Sequence, residues 1–101
     1  MNGRFWYSNT ARHVFRLFFA VRDLADNELN DTDRKLRDIA RTTYNELDED
    51  SQDVLKRYYH YNRHPEQIAI DLAVPEVDCF RAIRKAERRL AQQLQLLPPN
   101  G

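Results

Sequence analysis

The sequence predicts an all-α protein of about five helices, on the strength of three observations. Only two of its 101 residues are glycine, and a chain poor in glycine and rich in charged helix formers favours helices over turn-rich β structure. Apolar residues recur at intervals of three and four along most of the chain, as they do on one face of a helix. No segment alternates apolar and polar residues around an Asn-Gly or Asp-Gly turn, as a β-hairpin would require.

The first predicted helix runs from about Thr10 to Ala25. Its apolar residues share one stripe: Val14, Leu17, Phe18, Val21 and Leu24. Phe15 and Phe19 widen that stripe, and an aromatic cluster at Arg4–Tyr7 precedes the helix. Large rings at a chain end need a surface to cover, on the same domain or on a second subunit. There are therefore two candidate dimer interfaces: the aromatic cluster with Phe15 and Phe19, and the C-terminal end from Leu94 to Leu97.

A loop, Asp26–Thr32, leads into a second helix, which we expect Asp31 or Thr32 to cap. The inner face of this helix is mostly apolar: Leu36, Ile39, Ala40, Thr43, Tyr44 and Leu47. The inner face of the third helix is rich in tyrosine: Val54, Leu55, Tyr58, Tyr59 and Tyr61. The third helix should end at Asn62, because asparagine tolerates the left-handed conformation that terminates helices.

Pro65 should open a fourth helix, because its missing N–H would have no helical partner there, and Gln67 should reach back to cap it. After a turn at Ala73–Pro75, a long fifth helix runs from about Pro75 to Leu96. Its inner seam follows helical spacing: Cys79, Ile83, Ala86, Leu90, Leu94 and Leu97. Another face carries a basic stripe: Arg81, Arg84, Lys85 and Arg88.

The charges are unevenly distributed along a chain whose formal net charge is zero. Residues 1–22 carry four arginines and no acid, and residues 79–101 carry five bases against one acid. Between them, residues 23–53 carry eleven acids against four bases. A neutral total argues against a generally adhesive nucleic-acid binder, but this segregation predicts a protein with separate basic and acidic faces.

Three stretches in the second half of the chain resemble a known family. They are "LDEDSQDVLKRYY" (Leu47–Tyr59), "PEQIAIDLAV" (Pro65–Val74) and "VDCFRAIRKAERRL" (Val77–Leu90). Their apolar spacing is similar to the promoter-reading helix-turn-helix of bacterial sigma factors, their region 4, and to small phage-encoded late transcription regulators. Ala69 is small enough for a steep helix crossing, and Ala73 lies where glycine is common in the turn.

The resemblance implies a helix-turn-helix at 47–97 with the fifth helix as the recognition helix. This division leaves a helical extension at residues 1–46, where we recognise no family, and a tail at 98–101. It also implies sequence-specific binding of duplex DNA. The residues expected to contact DNA are the basic stripe, two residues before the fourth helix and three near the start of the fifth: Arg63, His64, Glu76, Asp78, Phe80, Arg81, Arg84, Lys85 and Arg88.

Three of these residues have more than one interpretation. Glu76 and Asp78 lie in a first turn, where the helix dipole favours carboxylates. Alternatively, they accept hydrogen bonds from cytosine amino groups, or they repel DNA and contact a protein. Phe80 contacts a thymine methyl group, packs in the core or anchors a partner.

No pattern in the sequence predicts an enzyme or a cofactor site. His60 and His64 have the spacing of a metal-binding pair on a helix, but the break expected near Asn62 and the lack of a third ligand argue against one. No glycine-rich phosphate loop is present, and no nucleophile lies beside a base. Cys79 is the single cysteine, and no apolar run is long enough to span a bilayer. We therefore expect a cytoplasmic protein without a membrane segment.

The leading hypothesis is a small transcription regulator of the sigma-like or phage late-gene type, with duplex DNA as its partner. A homodimer would double the phosphate contacts and impose two half-sites on the target. The alternative is a helical protein-interaction module that docks on RNA polymerase or on another regulator, which the acidic middle of the chain favours. A third hypothesis is a phage packaging component, since some small terminase subunits carry helix-turn-helix elements.

Overall fold

The computed structural model describes residues 3–96, with the side chains of residues 3–9 excepted. Its described backbone contains five α-helices and no strand: α1 (Gly3–Val21), α2 (Asp31–Asn45), α3 (Glu49–Leu55), α4 (Pro65–Leu72) and α5 (Glu76–Gln95). A 3-10 turn at Asp26–Glu28 lies between α1 and α2, and a π-helical segment at Lys56–His60 continues α3 directly. The all-α prediction is confirmed. None of these helices is long and apolar enough to cross a membrane.

The helix α5 lies at the centre of the fold, because α1, α2, α3 and α4 all pack against it. Its predicted inner seam is buried as expected: Cys79, Ile83, Ala86, Leu90 and Leu94. Leu97, the last residue of that seam, lies outside the described residues. This packing fixes the rotation of α5 about its axis, so its remaining faces are held towards solvent.

Aromatic side chains form the part of the core between α1, α2 and the π-helical segment. Phe15, Phe18 and Phe19 of α1 are all buried. The Phe15 ring lies 5.4 Å from that of Tyr59, and Phe19 packs edge-on against Tyr44 at 5.4 Å. Edge-to-face and offset ring pairs of this kind add to the stabilisation that burial alone supplies.

The bounds of α1 and its buried face both differ from the prediction. The helix starts before Thr10 and ends at Val21 rather than Ala25. Leu24, which was assigned to the apolar stripe, is 41% exposed in the connection to α2, whereas Ala11 is completely buried. The buried face therefore includes Val14 and Phe18 of the predicted stripe together with Phe15 and Phe19, but it does not include Leu24.

The predicted dimer surface of aromatic residues is wrong in so far as it includes Phe15 and Phe19. Both rings lie in the core of the same chain, where no second subunit can reach them. The aromatic cluster at Arg4–Tyr7 belongs to α1, but its side chains lie outside the described set.

Asn30 caps the start of α2. The prediction that Asp31 or Thr32 would be the cap is therefore wrong. The Asn30 side-chain oxygen accepts a hydrogen bond from the backbone N–H of Asp33 at 2.8 Å. Asp31 is the first helical residue, where its carboxylate lies near the positive end of the helix dipole.

Arg37 is a buried cation that joins α2 to the connection that precedes it. Its guanidinium donates hydrogen bonds to the carbonyl oxygen of Leu24 at 3.1 Å and to the carboxylates of Asp26 and Asp38. The hydrogen bond from Arg37 lowers the pKa of Asp26, and the positive charge of Arg37 lowers it further. A polar contact thus holds the 3-10 turn against α2.

The chain leaves the π-helical segment through Asn62, which has a φ angle of 55°. The left-handed conformation predicted for Asn62 is confirmed, although the helical hydrogen bonding already ends at His60. Pro65 is the first residue of α4, as predicted. The predicted role of Gln67 is wrong: His64 Nδ1 caps the helix by accepting from the N–H of Glu66, and Gln67 donates to Asp71 instead.

Candidate nucleic-acid interface

The pairing of α4 with α5 depends on the three-residue turn between them. Ala73 adopts the left-handed conformation (φ 56°, ψ 44°), and the N–H of Val74 donates to the carbonyl oxygen of Ala69 at 3.0 Å. Ala69 and Ile68 are buried, and both belong to the core that also contains Cys79 of α5. The helix α4 therefore packs against α5, as it was expected to do.

All four residues of the predicted basic stripe are exposed: Arg81, Arg84, Lys85 and Arg88. With two further residues of α5 they form two parallel rows, each with its members four positions apart. Phe80, Arg84 and Arg88 make up the row on the α1 side, which we call the α1-side row. Arg81, Lys85 and Arg89 make up the row on the α2 side, which we call the α2-side row.

The α2-side row faces carboxylates. Arg81, Lys85 and Arg89 line a shallow depression together with Glu46 and Asp48, from the connection between α2 and α3, and with Asp78. Arg89 lies 3.7 Å from the carboxylate of Glu46, and Arg81 lies 4.0 Å from that of Asp78. These acids reduce the positive potential of this side.

The α1-side row borders a groove between α1 and α5 of about 690 Å³. Arg84 and Arg88 line it on the α5 side, Arg12 lines it on the α1 side, and glutamines 92 and 95 lie at one end. Within the described part of the chain, neither Arg84 nor Arg88 forms an ion pair. This side of α5 therefore keeps its positive charge.

Glu87 is the one carboxylate that lines this groove, and it is largely buried. Its Oε2 accepts a hydrogen bond from the phenolic O–H of Tyr59, and its Oε1 lies 3.4 Å from Nε of Arg12. Burial and the neighbouring carboxylate together raise the pKa of Tyr59, so its hydroxyl remains the donor. The Arg12 side chain is itself 59% exposed, so most of its guanidinium faces solvent.

Phe80 lies at the other end of the α1-side row and is 38% exposed. It lines a shallow pocket with Arg16 of α1 and with Arg63 and His64, which precede α4. Phe80 does not belong to the core cluster, so the interpretation that it packs in the core is wrong. Its ring and the surrounding basic residues form a mixed surface that is open to solvent.

The remaining predicted contact residues are all exposed. Arg63 lies 3.0 Å from the carboxylate of Asp71, and His64 is engaged as the cap of α4. Glu76 and Asp78 occupy the first turn of α5, where the helix dipole favours negative charge. Asp78 lines the depression beside the α2-side row, whereas Glu76 lies one helical turn before Phe80 of the α1-side row.

The sequence analysis missed the contributions of Arg12, Arg16 and Glu87. Arg12 and Arg16 lie one helical turn apart on the polar face of α1, and the cluster of four arginines before residue 23 was the available signal. Glu87 is the single acid among residues 79–101, and it directly follows the seam residue Ala86. Neither pattern shows that α1 brings its arginines alongside α5.

The structure does not assemble a metal centre or an activated nucleophile from the side chains described above. Among residues 10–96, no group of three or more His, Cys, Asp or Glu side chains is placed to hold a metal ion. Burial raises the pKa of the Cys79 thiol, which disfavours the reactive thiolate. Comparison with known protein families, curated proteins and solved structures finds no match.

Proposed function

We propose that the protein binds duplex DNA through the exposed rows of α5 and acts as a transcription regulator of the sigma-like or phage late-gene type. One observation carries this proposal: α5 buries its apolar seam in the core while all four residues of the basic stripe remain exposed. A helix fixed in rotation with cations on its outer face is suited to contacts with phosphates and base edges.

The packing of α4 on α5 supports a helix-turn-helix arrangement. Buried Ala69 provides the close approach between the two helices, and Ala73 adopts the left-handed conformation in the turn. In such an arrangement α4 supports the second helix, whose outward residues enter the groove. The regulatory role comes from the resemblance of this segment to sigma region 4.

The predicted contact residues divide into two kinds under this proposal. Arg84, Lys85 and Arg88 contact phosphates or guanine edges, and Arg63 and His64 approach phosphates at the start of α4. Near the start of α5, Glu76 and Asp78 can accept hydrogen bonds from cytosine amino groups, and Phe80 can contact thymine methyl groups. Contacts with phosphates supply affinity, and contacts with base edges supply sequence preference.

A salt titration of a labelled mixed-sequence duplex tests the proposal. If the protein contacts several phosphates, the logarithm of the association constant should fall linearly with the logarithm of the salt concentration. The slope should be about −0.9 per phosphate contact. Selection of bound duplexes from a random pool should then enrich one motif. No duplex binding by the full chain at low salt, or binding indifferent to salt, would contradict the proposal.

A second candidate function is a protein-interaction module that docks on RNA polymerase or another regulator. It is favoured by three exposed apolar side chains at the end of α4, in the turn and at the start of α5: Ile70, Val74 and Val77. Capture of RNA polymerase in the presence of nuclease distinguishes the two functions. A partner that persists without DNA favours docking, and a partner that disappears favours DNA binding.

A further inference from the structure

The groove between α1 and α5 gathers arginines from two distant parts of the chain. Arg12 and Arg16 are four residues apart on α1, and Arg84 and Arg88 are four residues apart on α5, so each pair spans about 6 Å along its helix. Arg12 lines the groove together with Arg84 and Arg88, whereas Arg16 shares a pocket with Phe80, the first residue of their row. Arg12, Arg84 and Arg88 therefore share one groove, and Arg16 lies in the pocket that Phe80 lines one helical turn before Arg84.

The positive charge of this surface is only partly neutralised. Among the residues that the structure describes, Arg16, Arg84 and Arg88 form no ion pair with a carboxylate. Arg12 has Glu87 as its partner, but that carboxylate also accepts a hydrogen bond from Tyr59. Concentrated like charges favour an anionic partner, since binding one relieves their mutual repulsion.

We infer that Arg12 and Arg16 form, with Arg84 and Arg88, a phosphate-binding groove, so that α1 contacts the backbone of the same duplex that α5 binds. This inference rests on the proposed function and adds α1 to its site. Arginine is suited to the task because its planar guanidinium donates two parallel hydrogen bonds to phosphate oxygens.

Glu87 acts in this groove as a positioning residue. Tyr59 anchors its carboxylate from the core side, and the carboxylate in turn contacts Arg12 through Nε. The two terminal nitrogens of Arg12 make no hydrogen bond in the part of the chain that the structure describes, so they remain available to a phosphate. The contact orients Arg12 and leaves its donors for the ligand.

The experiment compares duplex binding by the full chain and by Arg12→Ala, Arg16→Ala and the double variant across a range of salt concentrations. Each lost phosphate contact should reduce the magnitude of the salt slope by about 0.9. The gain in affinity on going from 1 M to 0.1 M salt should therefore be about eightfold smaller for each lost contact. For the double variant, the gain in affinity over the same range of salt concentration should be roughly 60-fold smaller.

Lys35→Ala is the matched control, because Lys35 is an exposed cation on α2, away from the groove. Arg16→Ala provides a second variant if Arg12→Ala disturbs folding: among the described residues Arg16 has no carboxylate partner, and its guanidinium lies 5.6 Å from the centre of the Tyr59 ring. Circular dichroism establishes the fold of each variant. The inference is overturned if the native chain and Arg84→Ala differ in affinity while both α1 variants behave like Lys35→Ala. If the native chain binds no duplex, the proposed function fails as well.

Discussion

Both rows of α5 carry exposed cations, but the rows differ in what surrounds those cations. On the α2 side, Arg81 and Arg89 face the carboxylates of Asp78 and Glu46. On the α1 side, Arg84 and Arg88 face a groove whose opposite wall contributes a further arginine, Arg12. Arg81 and Arg84 are three positions apart in the sequence. Arg81 nevertheless lies beside the carboxylate of Asp78, whereas Arg84 has no carboxylate partner among the described residues.

This difference shows that a basic stripe on a helix is not a single functional unit. A solvated face and an anion-binding face have the same appearance in the sequence, because both require exposed cations at helical spacing. The neighbouring elements decide between them: the connection between α2 and α3 brings acids to one row, and α1 brings arginines to the other. The groove side is therefore the stronger candidate for phosphate contacts.

The largest effect should come from a substitution in the buried seam of α5, which supports both rows. Leu90 is completely buried in the seam of α5, and Leu90→Ala should lower the free energy of unfolding by about 2–5 kcal/mol because it leaves a cavity. Urea denaturation followed by circular dichroism measures this change. Leu96→Ala is the control, since Leu96 is exposed and its truncation should cost less than about 0.5 kcal/mol.

Separate truncation of the two rows tests the comparison directly. The Arg84→Ala, Arg88→Ala double variant loses two phosphate contacts. Its gain in duplex affinity on going from 1 M to 0.1 M salt should therefore be roughly 60-fold smaller than that of the native chain. Arg81→Ala combined with Lys85→Ala removes the same formal charge and should cost less than about tenfold, because Arg81 already faces Asp78. Equal losses in the two double variants, measured by fluorescence anisotropy, would remove the distinction between the rows.

The groove contains a buried hydrogen bond, from Tyr59 to Glu87, that has no counterpart on the α2 side among the described residues. Tyr59→Phe deletes the hydroxyl that donates to Glu87 and leaves a largely buried carboxylate short of a donor. The free energy of unfolding should fall by about 1–3 kcal/mol. Tyr61→Phe provides the control, because the Tyr61 ring is exposed. A thermal melt in which the two variants behave alike would show that the Tyr59 contact contributes little.

Local features of the fold were predictable from the sequence, and features that join distant segments were not. The seam of α5, Pro65 at the start of α4 and the left-handed Asn62 depend on periodicity or on the conformational preference of one residue. By contrast, Arg12 and Glu87 are 75 residues apart, and their contact requires α1 to pack along α5.

Arg37 shows the same limit from the opposite direction. Helical spacing places it on the same face of α2 as Ala40 and Tyr44, but its charge gives no reason to expect burial. Its burial depends on the carbonyl of Leu24 and the carboxylate of Asp26, which the connection from α1 brings within reach. A charged residue is buried only where such partners meet it, and the partners are fixed by the tertiary fold.

Arg37 differs from the cations of both exposed rows, because it is buried and paired with Asp26. Its charge therefore has a structural role. Because the pKa of Asp26 is lowered in the folded state, its contribution to stability is present above its ordinary value of 3.8 and is lost as the pH falls through the lowered value. Asp26→Asn should therefore lower the melting temperature at neutral pH. The difference should shrink as the pH falls below the ordinary value of 3.8. Asp23→Asn, which removes an exposed acid nearby, controls for the change in net charge.

The smallest expected effect is also the one that addresses the comparison most directly. If nearby acids weaken the α2-side row, then Glu46→Gln should make that row more like the groove side, because it frees Arg89 from its carboxylate at 3.7 Å. An exposed pair of this kind is worth about 0.2–1 kcal/mol, so duplex affinity should rise by roughly 1.4-fold to fivefold at low salt. Glu28→Gln removes one negative charge from the 3-10 turn and controls for the change in net charge. An equal gain in both variants would attribute the effect to overall charge, whereas a gain confined to Glu46→Gln would place it at the α2-side row.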